Sequence, residues 1–334
     1  MDLRHETSKL LAICEMACSI TDWINIAKLK AQIDYHAVTS GVKIDTRFAN
    51  NAFLRFISSG YEQLTEESNL GFPTIVTNVL RFITGQMHKK TALIVIDGMS
   101  LFDFEVISKS FSKIKYDYDC SFAMIPTVTP ISRQSLLSGK YPSELSDQFS
   151  LVYEESEYLA AANNLGFAKE QALYIRGFPH EIEPSVKQAA IILSDIDEIV
   201  HNQHQGRNGM YRDLVRLKCG ERILELVLHL SDLGFAVYIT ADHGNAVCTG
   251  VGEFQGDIDV QTRATRVAII KDLSFRNELL ALNCTEYPGY HLNRDNHYFV
   301  CNEGVSLNRI GEAVMTHGDM SLDEVIVPFI KIYP

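Results

Sequence analysis

The chain has 334 residues, 46% hydrophobic and 22% charged, which excludes a disordered or fibrous polymer and predicts a large catalytic domain with a smaller attachment. A formal charge of −12 excludes a broad basic surface that coats nucleic acid, but it is compatible with a local basic pocket and with acidic residues gathered at a cation site. Apolar runs fall short of the roughly 20 residues that cross a bilayer, no leader pattern opens the chain, and the seven cysteines are scattered without a CxxC, so no membrane association and a reducing, cytoplasmic location are expected.

From Met1 to about Lys90 apolar residues recur at three-to-four spacing, as in Leu10 to Ile26 and Ala52 to Leu64, which predicts a helical N-terminal domain over residues 1–90. Pro73 and Thr74 open a further helix, Thr74 to Gln86, and the polar stretch Gln86 to Thr91 marks the boundary to a second domain, residues 91–334. There, short apolar, β-rich runs alternate with helical segments: Ala92 to Ile96, Cys120 to Ile125, Ala172 to Ile175, Ala189 to Leu193 and Ala236 to Thr240. Alternation of this kind predicts an α/β fold with a mostly parallel sheet flanked by helices. Met210 to Leu233 reads as one helix stopped by Gly234, and Glu324 to Tyr333 reads as a strand that Pro328 confines to an edge.

Five segments carry polar groups beside strand ends, where ligand sites of open parallel sheets lie. Asp97-Gly98 follows an apolar strand and suits either a metal ligand or a simple turn. Thr129, in Pro126-Thr127-Val128-Thr129-Pro130, sits between a strand and a helix over Ile131 to Ser138; its hydroxyl there can meet a phosphate or merely cap the helix. Arg133, one turn on, suits substrate oxygens or a surface ion pair. In Ser194-Asp195-Ile196-Asp197-Glu198-Ile199-Val200-His201 a helix would put Asp197 and His201 on one face, with helix capping by Ser194 or Asp195 as the alternative use of the acids. Asp242-His243-Gly244 places two adjacent ligand-type groups after a buried strand, and His317-Gly318 precedes a final strand. His291 and His297 read as solvated loop residues or as the border of a cleft.

This order of motifs, Asp-Gly, PTxT, Asp-x-x-x-His, Asp-His-Gly and a late His-Gly, resembles the alkaline phosphatase superfamily over about Thr91 to Pro334, and HGDMSLDEVIVPF and PTVTPISRQSLLSG resemble the PglZ family in particular. One departure is Asp319, where a second glycine commonly follows the His-Gly pair. The resemblance implies one cation on Asp197, His201 and His317 and another on Asp97, Thr129, Asp242 and His243, with zinc the first choice and manganese the second. It further implies a two-metal phosphoric ester hydrolase with Thr129 as nucleophile, a phosphothreonine intermediate and Arg133 at the substrate. Phosphodiester hydrolysis of nucleotides or oligonucleotides, in phage defence with defence-system partners, is the first expectation. A phosphomonoesterase or phosphomutase would use the same cradle and differ in the segments Tyr141 to Pro184 and Ala246 to Gly304. A non-catalytic scaffold of a defence complex is the alternative from another class. Val128, two residues before Pro130, departs from the Cys or Ser that marks related sulfatases.

Overall fold

The computed structural model describes residues 1–65, 71–256 and 263–333. Its strands, in chain order, are β1 (Thr91–Ile96), β2 (Lys115–Phe122), β3 (Ala172–Arg176), β4 (Gln188–Leu193), β5 (Ala236–Thr240), β6 (Ala246–Gly250), β7 (Val267–Ile270), β8 (Cys284–Tyr287), β9 (His297–Cys301), β10 (Val305–Ser306), β11 (Ala313–Thr316) and β12 (Ile326–Tyr333). Six of them form the central sheet in the order β2-β12-β5-β1-β4-β3. β3, β4, β1 and β5 run parallel, whereas β12 pairs antiparallel with both β5 and β2. β1 and β4 are buried along their whole length, as expected of central strands covered by helices on both faces. Two three-stranded sheets, β10-β6-β11 and β7-β9-β8, follow β5 in the chain.

The N-terminal helices Leu3–Met16, Ile20–Ser40 and Arg47–Gly60 join the same apolar core as the sheet. Trp23 meets Phe53 at 5.3 Å between ring centroids, and Phe53 meets Phe122 of β2 at 6.3 Å. Buried Lys30 adds a polar tie, 2.9 Å from Asp34 and 2.8 Å from Asp323. No helix among the described residues is long and apolar enough to cross a membrane.

Three local expectations change. β12 is an interior strand, because Pro328 stands one residue outside the β5 ladder and its carbonyl on that side accepts from Thr240 Oγ1 at 2.8 Å, so no ladder bond is lost there. The helix expected over Met210 to Leu233 is two helices, Gly206–Arg216 and Cys219–Asp232, broken where Lys218 takes φ 51°. Gly220 is thereby set so close to the preceding layer that an added Cβ would lie 2.6 Å from Ser110 Oγ and 2.8 Å from Ile107 O. The stretch Thr74 to Gln86 contains a tight turn, Val76–Asn78, before a short helix, Val79–Gly85.

Candidate metal centre

Four of the five polar motifs leave the carboxyl ends of β1, β4, β5 and β11. β1 delivers Asp97, whose N–H donates to Leu193 O at 2.9 Å, and Gly98 turns the chain at φ 71°, which a side chain would strain. β4 runs through Ser194 into the helix Asp195–His201, which presents Asp197 and His201 four apart on one face. Neither capping alternative holds there: Ser194 makes no side-chain cap bond, and Asp195 pairs with Arg222 at 2.6 Å. β5 delivers Asp242 and His243. Gly244 then passes so near the turn before β12 that a Cβ would stand 2.1 Å from Asp323 O, so no side chain fits without moving backbone. β11 delivers His317. Thr129 opens the helix Thr129–Ser138 but is not its cap; that position is Val128, and the Thr129 hydroxyl turns instead to His243 Nε2 at 2.9 Å.

Folding brings these residues together into two sets of ligand-type atoms. In the first, Asp197 Oδ1 lies 3.1 Å from His201 Nε2 and 3.7 Å from His317 Nε2, and the two imidazoles are 3.3 Å apart at Nε2. In the second, His243 Nε2 lies 3.7 Å from Asp97 Oδ1 and 3.9 Å from Asp242 Oδ2. Within each set of three, one ligand atom per residue lies within 4.8 Å of the others. His243 and His317 stack with centroids 4.1 Å apart and join the sets.

The second layer fixes the imidazoles. His243 Nδ1 lies 2.9 Å from Gly244 O, and His317 Nδ1 lies 2.7 Å from Thr127 O. A carbonyl only accepts, so Nδ1 carries the proton in both rings and Nε2 presents a lone pair to the centre. Burial lowers both imidazole pKa values, and for His317 the adjacent His243 lowers it further. Burial and the neighbouring Asp97 carboxylate push Asp242 well above the usual carboxylate range. At Asp197 burial opposes ionisation, but the hydrogen bond from His201 and the nearby imidazoles outweigh it and hold the pKa low. Asp97 Oδ1 and Asp242 Oδ2 are buried with no hydrogen-bond donor among the described residues. Uncompensated carboxylate oxygens beside imidazole lone pairs are costly unless a cation shares them, so the donor set fits divalent metal.

Arg133 is buried, and its Nη1 contacts Asp97 Oδ2 and lies 3.9 Å from Asp242 Oδ2. Glu154, fully buried, accepts from Arg133 Nε at 2.8 Å and is also bound by Tyr174 Oη and Arg176 Nη2. Sequence reasoning missed Glu154, because Glu154-Glu155-Ser156-Glu157 reads only as the acidic first turn of a helix. It likewise missed Asn245, whose Nδ2 donates to Gly98 O at 2.8 Å and Asp103 Oδ2 at 2.6 Å, and Arg266, buried against Asp319 at 2.7 Å and against Glu324. Asp319, the departure from the double glycine, thus has its own countercharge. His291 stacks on Tyr141 at 4.2 Å and His297 lies 3.5 Å from Glu286; both line a surface cavity of about 1220 Å³ to which none of the clustered residues contributes. Of the two segments expected to cover the site, residues 257–262 lie outside the described residues.

A family model described as the BREX system PglZ alkaline phosphatase-like domain matches residues 75–332. Solved structures similar to the chain include murine ectonucleotide pyrophosphatase/phosphodiesterase 5, with 12% identity over 72% of this chain and 87% of that one at a TM-score of 0.49. The human counterpart has 14% identity over 73% and 87% at 0.48. Phosphonoacetate hydrolase from Sinorhizobium meliloti 1021 has 12% identity over 73% and 90% at 0.45. No curated protein matches the sequence.

Proposed function

The chain belongs to the PglZ family of alkaline phosphatase-like domains, and from that premise we propose that it is a two-metal phosphodiesterase acting on nucleotides or oligonucleotides, with Thr129 as nucleophile. The observation that carries this reading is the convergence of two carboxylate and imidazole sets, joined by stacked His243 and His317, with the Thr129 hydroxyl 2.9 Å from His243 Nε2. Asp197, His201 and His317 would hold one cation, and Asp97, Asp242 and His243, with Thr129, the other. Oxygen and imidazole nitrogen donors suit zinc first and manganese second. Bound there, the cations supply positive charge that favours the ionised hydroxyl and offsets negative charge on the phosphoryl oxygens.

The chain's own residues account for the remaining steps. The helix Thr129–Ser138 sets the Thr129 hydroxyl at its positive end, and Oγ1 attacks phosphorus in line with the leaving alkoxide. The bond to the leaving oxygen breaks as the phosphothreonine ester forms. Water then attacks the same phosphorus, releasing the phosphate product and restoring Thr129. Arg133, held through Nε by Glu154, is assigned to substrate oxygens. A place in phage defence, with defence-system proteins as partners, belongs to the same proposal and draws support from the family description.

Hydrolysis of bis(p-nitrophenyl) phosphate and of the monoester, each with zinc or manganese, tests the reading. Thr129→Ala is expected to retain metal and lose turnover; normal turnover in that variant removes Thr129 from its role. A preference for the monoester replaces the diesterase assignment. Metal content well below one equivalent in the purified protein replaces it with a scaffold.

A further inference from the structure

Each ligand set leads outward to an exposed guanidinium that the metal chemistry does not use. At the first set, Arg263 Nη1 lies 3.4 Å from Asp197 Oδ2 with its side chain 64% exposed. At the second, the path runs from Asp97 through Arg133 and Glu154 to Arg176, whose Nη2 lies 3.2 Å from Glu154 Oε1 with its side chain 50% exposed. Arg176 is the last residue of β3, level with Ile192 of β4, so it stands at the carboxyl edge from which the Asp197 helix departs. In a chain of net charge −12, two solvated arginines placed one at each ligand set would focus anions at the mouth of the site.

We propose that Arg263 and Arg176 hold phosphates on either side of the scissile one, so that the substrate is a phosphodiester chain rather than a compound with a single phosphate. This rests on the phosphodiesterase reading above and names the substrate of that site. With Asp197 engaged in holding a cation, Arg263 would be free to turn its planar fork to a phosphate, which it matches in shape. Arg176 keeps one side on Glu154 and Tyr174 and presents the other to solvent, a pre-ordered guanidinium that loses little freedom on binding.

The test is anisotropy of a fluorescein-labelled, phosphorothioate-linked single strand of about twelve nucleotides, titrated with manganese-loaded protein over a range of salt. Each of Arg263→Ala and Arg176→Ala is expected to lower the slope of log affinity against log salt by about 0.7, and the double variant by about 1.4. Lysine at either position should restore the slope, which separates charge from folding. Slopes that stay at the wild-type value overturn the proposal, as does an equal loss of slope with a labelled mononucleotide. Hydrolysis of bis(p-nitrophenyl) phosphate is followed in parallel. Metal-dependent hydrolysis with unaltered slopes overturns the flanking-phosphate assignment alone. Altered slopes without such hydrolysis uphold phosphate holding and overturn the phosphodiesterase reading.

Discussion

His243 and His317 lie face to face with their ring centroids 4.1 Å apart and an interplanar angle of 20°, although one follows β5 of the central sheet and the other follows β11 of a separate three-stranded sheet. Both rings are turned the same way by a carbonyl at Nδ1, so two lone pairs meet at the seam between the ligand sets.

Two donor-free carboxylate oxygens, on Asp97 and Asp242, are expected to make the metal-free protein the less stable form. Stripping metal with EDTA is expected to lower the melting temperature and zinc to restore it, by the equivalent of about 2.7 kcal/mol at a hundredfold excess over Kd. In Asp242→Asn the gap should shrink. Identical melting curves with and without zinc in the wild type would count against the site.

Glu154 acts on the centre only through Arg133. Glu154→Gln keeps the shape but removes the charge that fixes Nε, so kcat/KM for the diester is expected to fall about tenfold to a hundredfold with metal content intact. Arg133→Lys, which loses the fork, should fall at least as far. A variant that loses metal in proportion to activity would show that Glu154 only supports the fold.

Lys30 ties the N-terminal helices to the turn before β12 through Asp323. Lys30→Met leaves Asp323 with Arg207 at 3.6 Å as its remaining cation among the described residues and is expected to cost about 3 kcal/mol in urea unfolding. A change within experimental error would mean that water compensates the carboxylates.

Burial and nearby Asp319 raise Glu324 to about 8 against the opposing pull of Arg266. The folded state therefore keeps a proton that the unfolded chain releases near 4.5, and stability falls as pH rises towards about 8. Wild type is expected to lose more stability than Glu324→Gln between pH 6 and 8, by about 1 kcal/mol or more. Parallel pH profiles for the two proteins would refute the assignment.

The alternation of apolar runs with helical segments was enough to identify the central sheet and its strands, since strands buried on both faces are dominated by apolar residues, as β1 and β4 are after Thr91 and Gln188. Asp97 and the Asp242-His243 pair stood out because polar groups directly after such a run stand where the chain leaves the core, and Asp197 stood out through His201 four residues on; the fold brings these groups near one another. Local pattern failed where the partner is remote. Pro328 looked like an edge residue because the sequence does not reveal that β5 stops one position short of it. Lys218 interrupts a helix whose periodicity is unbroken, since close packing of Gly220 on Ile107 and Ser110 decides the matter.

By itself, then, the sequence determined the apolar runs that become strands and the polar side chains that follow them, because those facts follow from hydrophobic period and side-chain type. Only the tertiary structure decided that Thr129 Oγ1 faces His243, that Glu154 holds Arg133, and that Arg266 neutralises Asp319. Hydrogen bonds and ion pairs are short-ranged in space and indifferent to separation along the chain, so no local pattern encodes them.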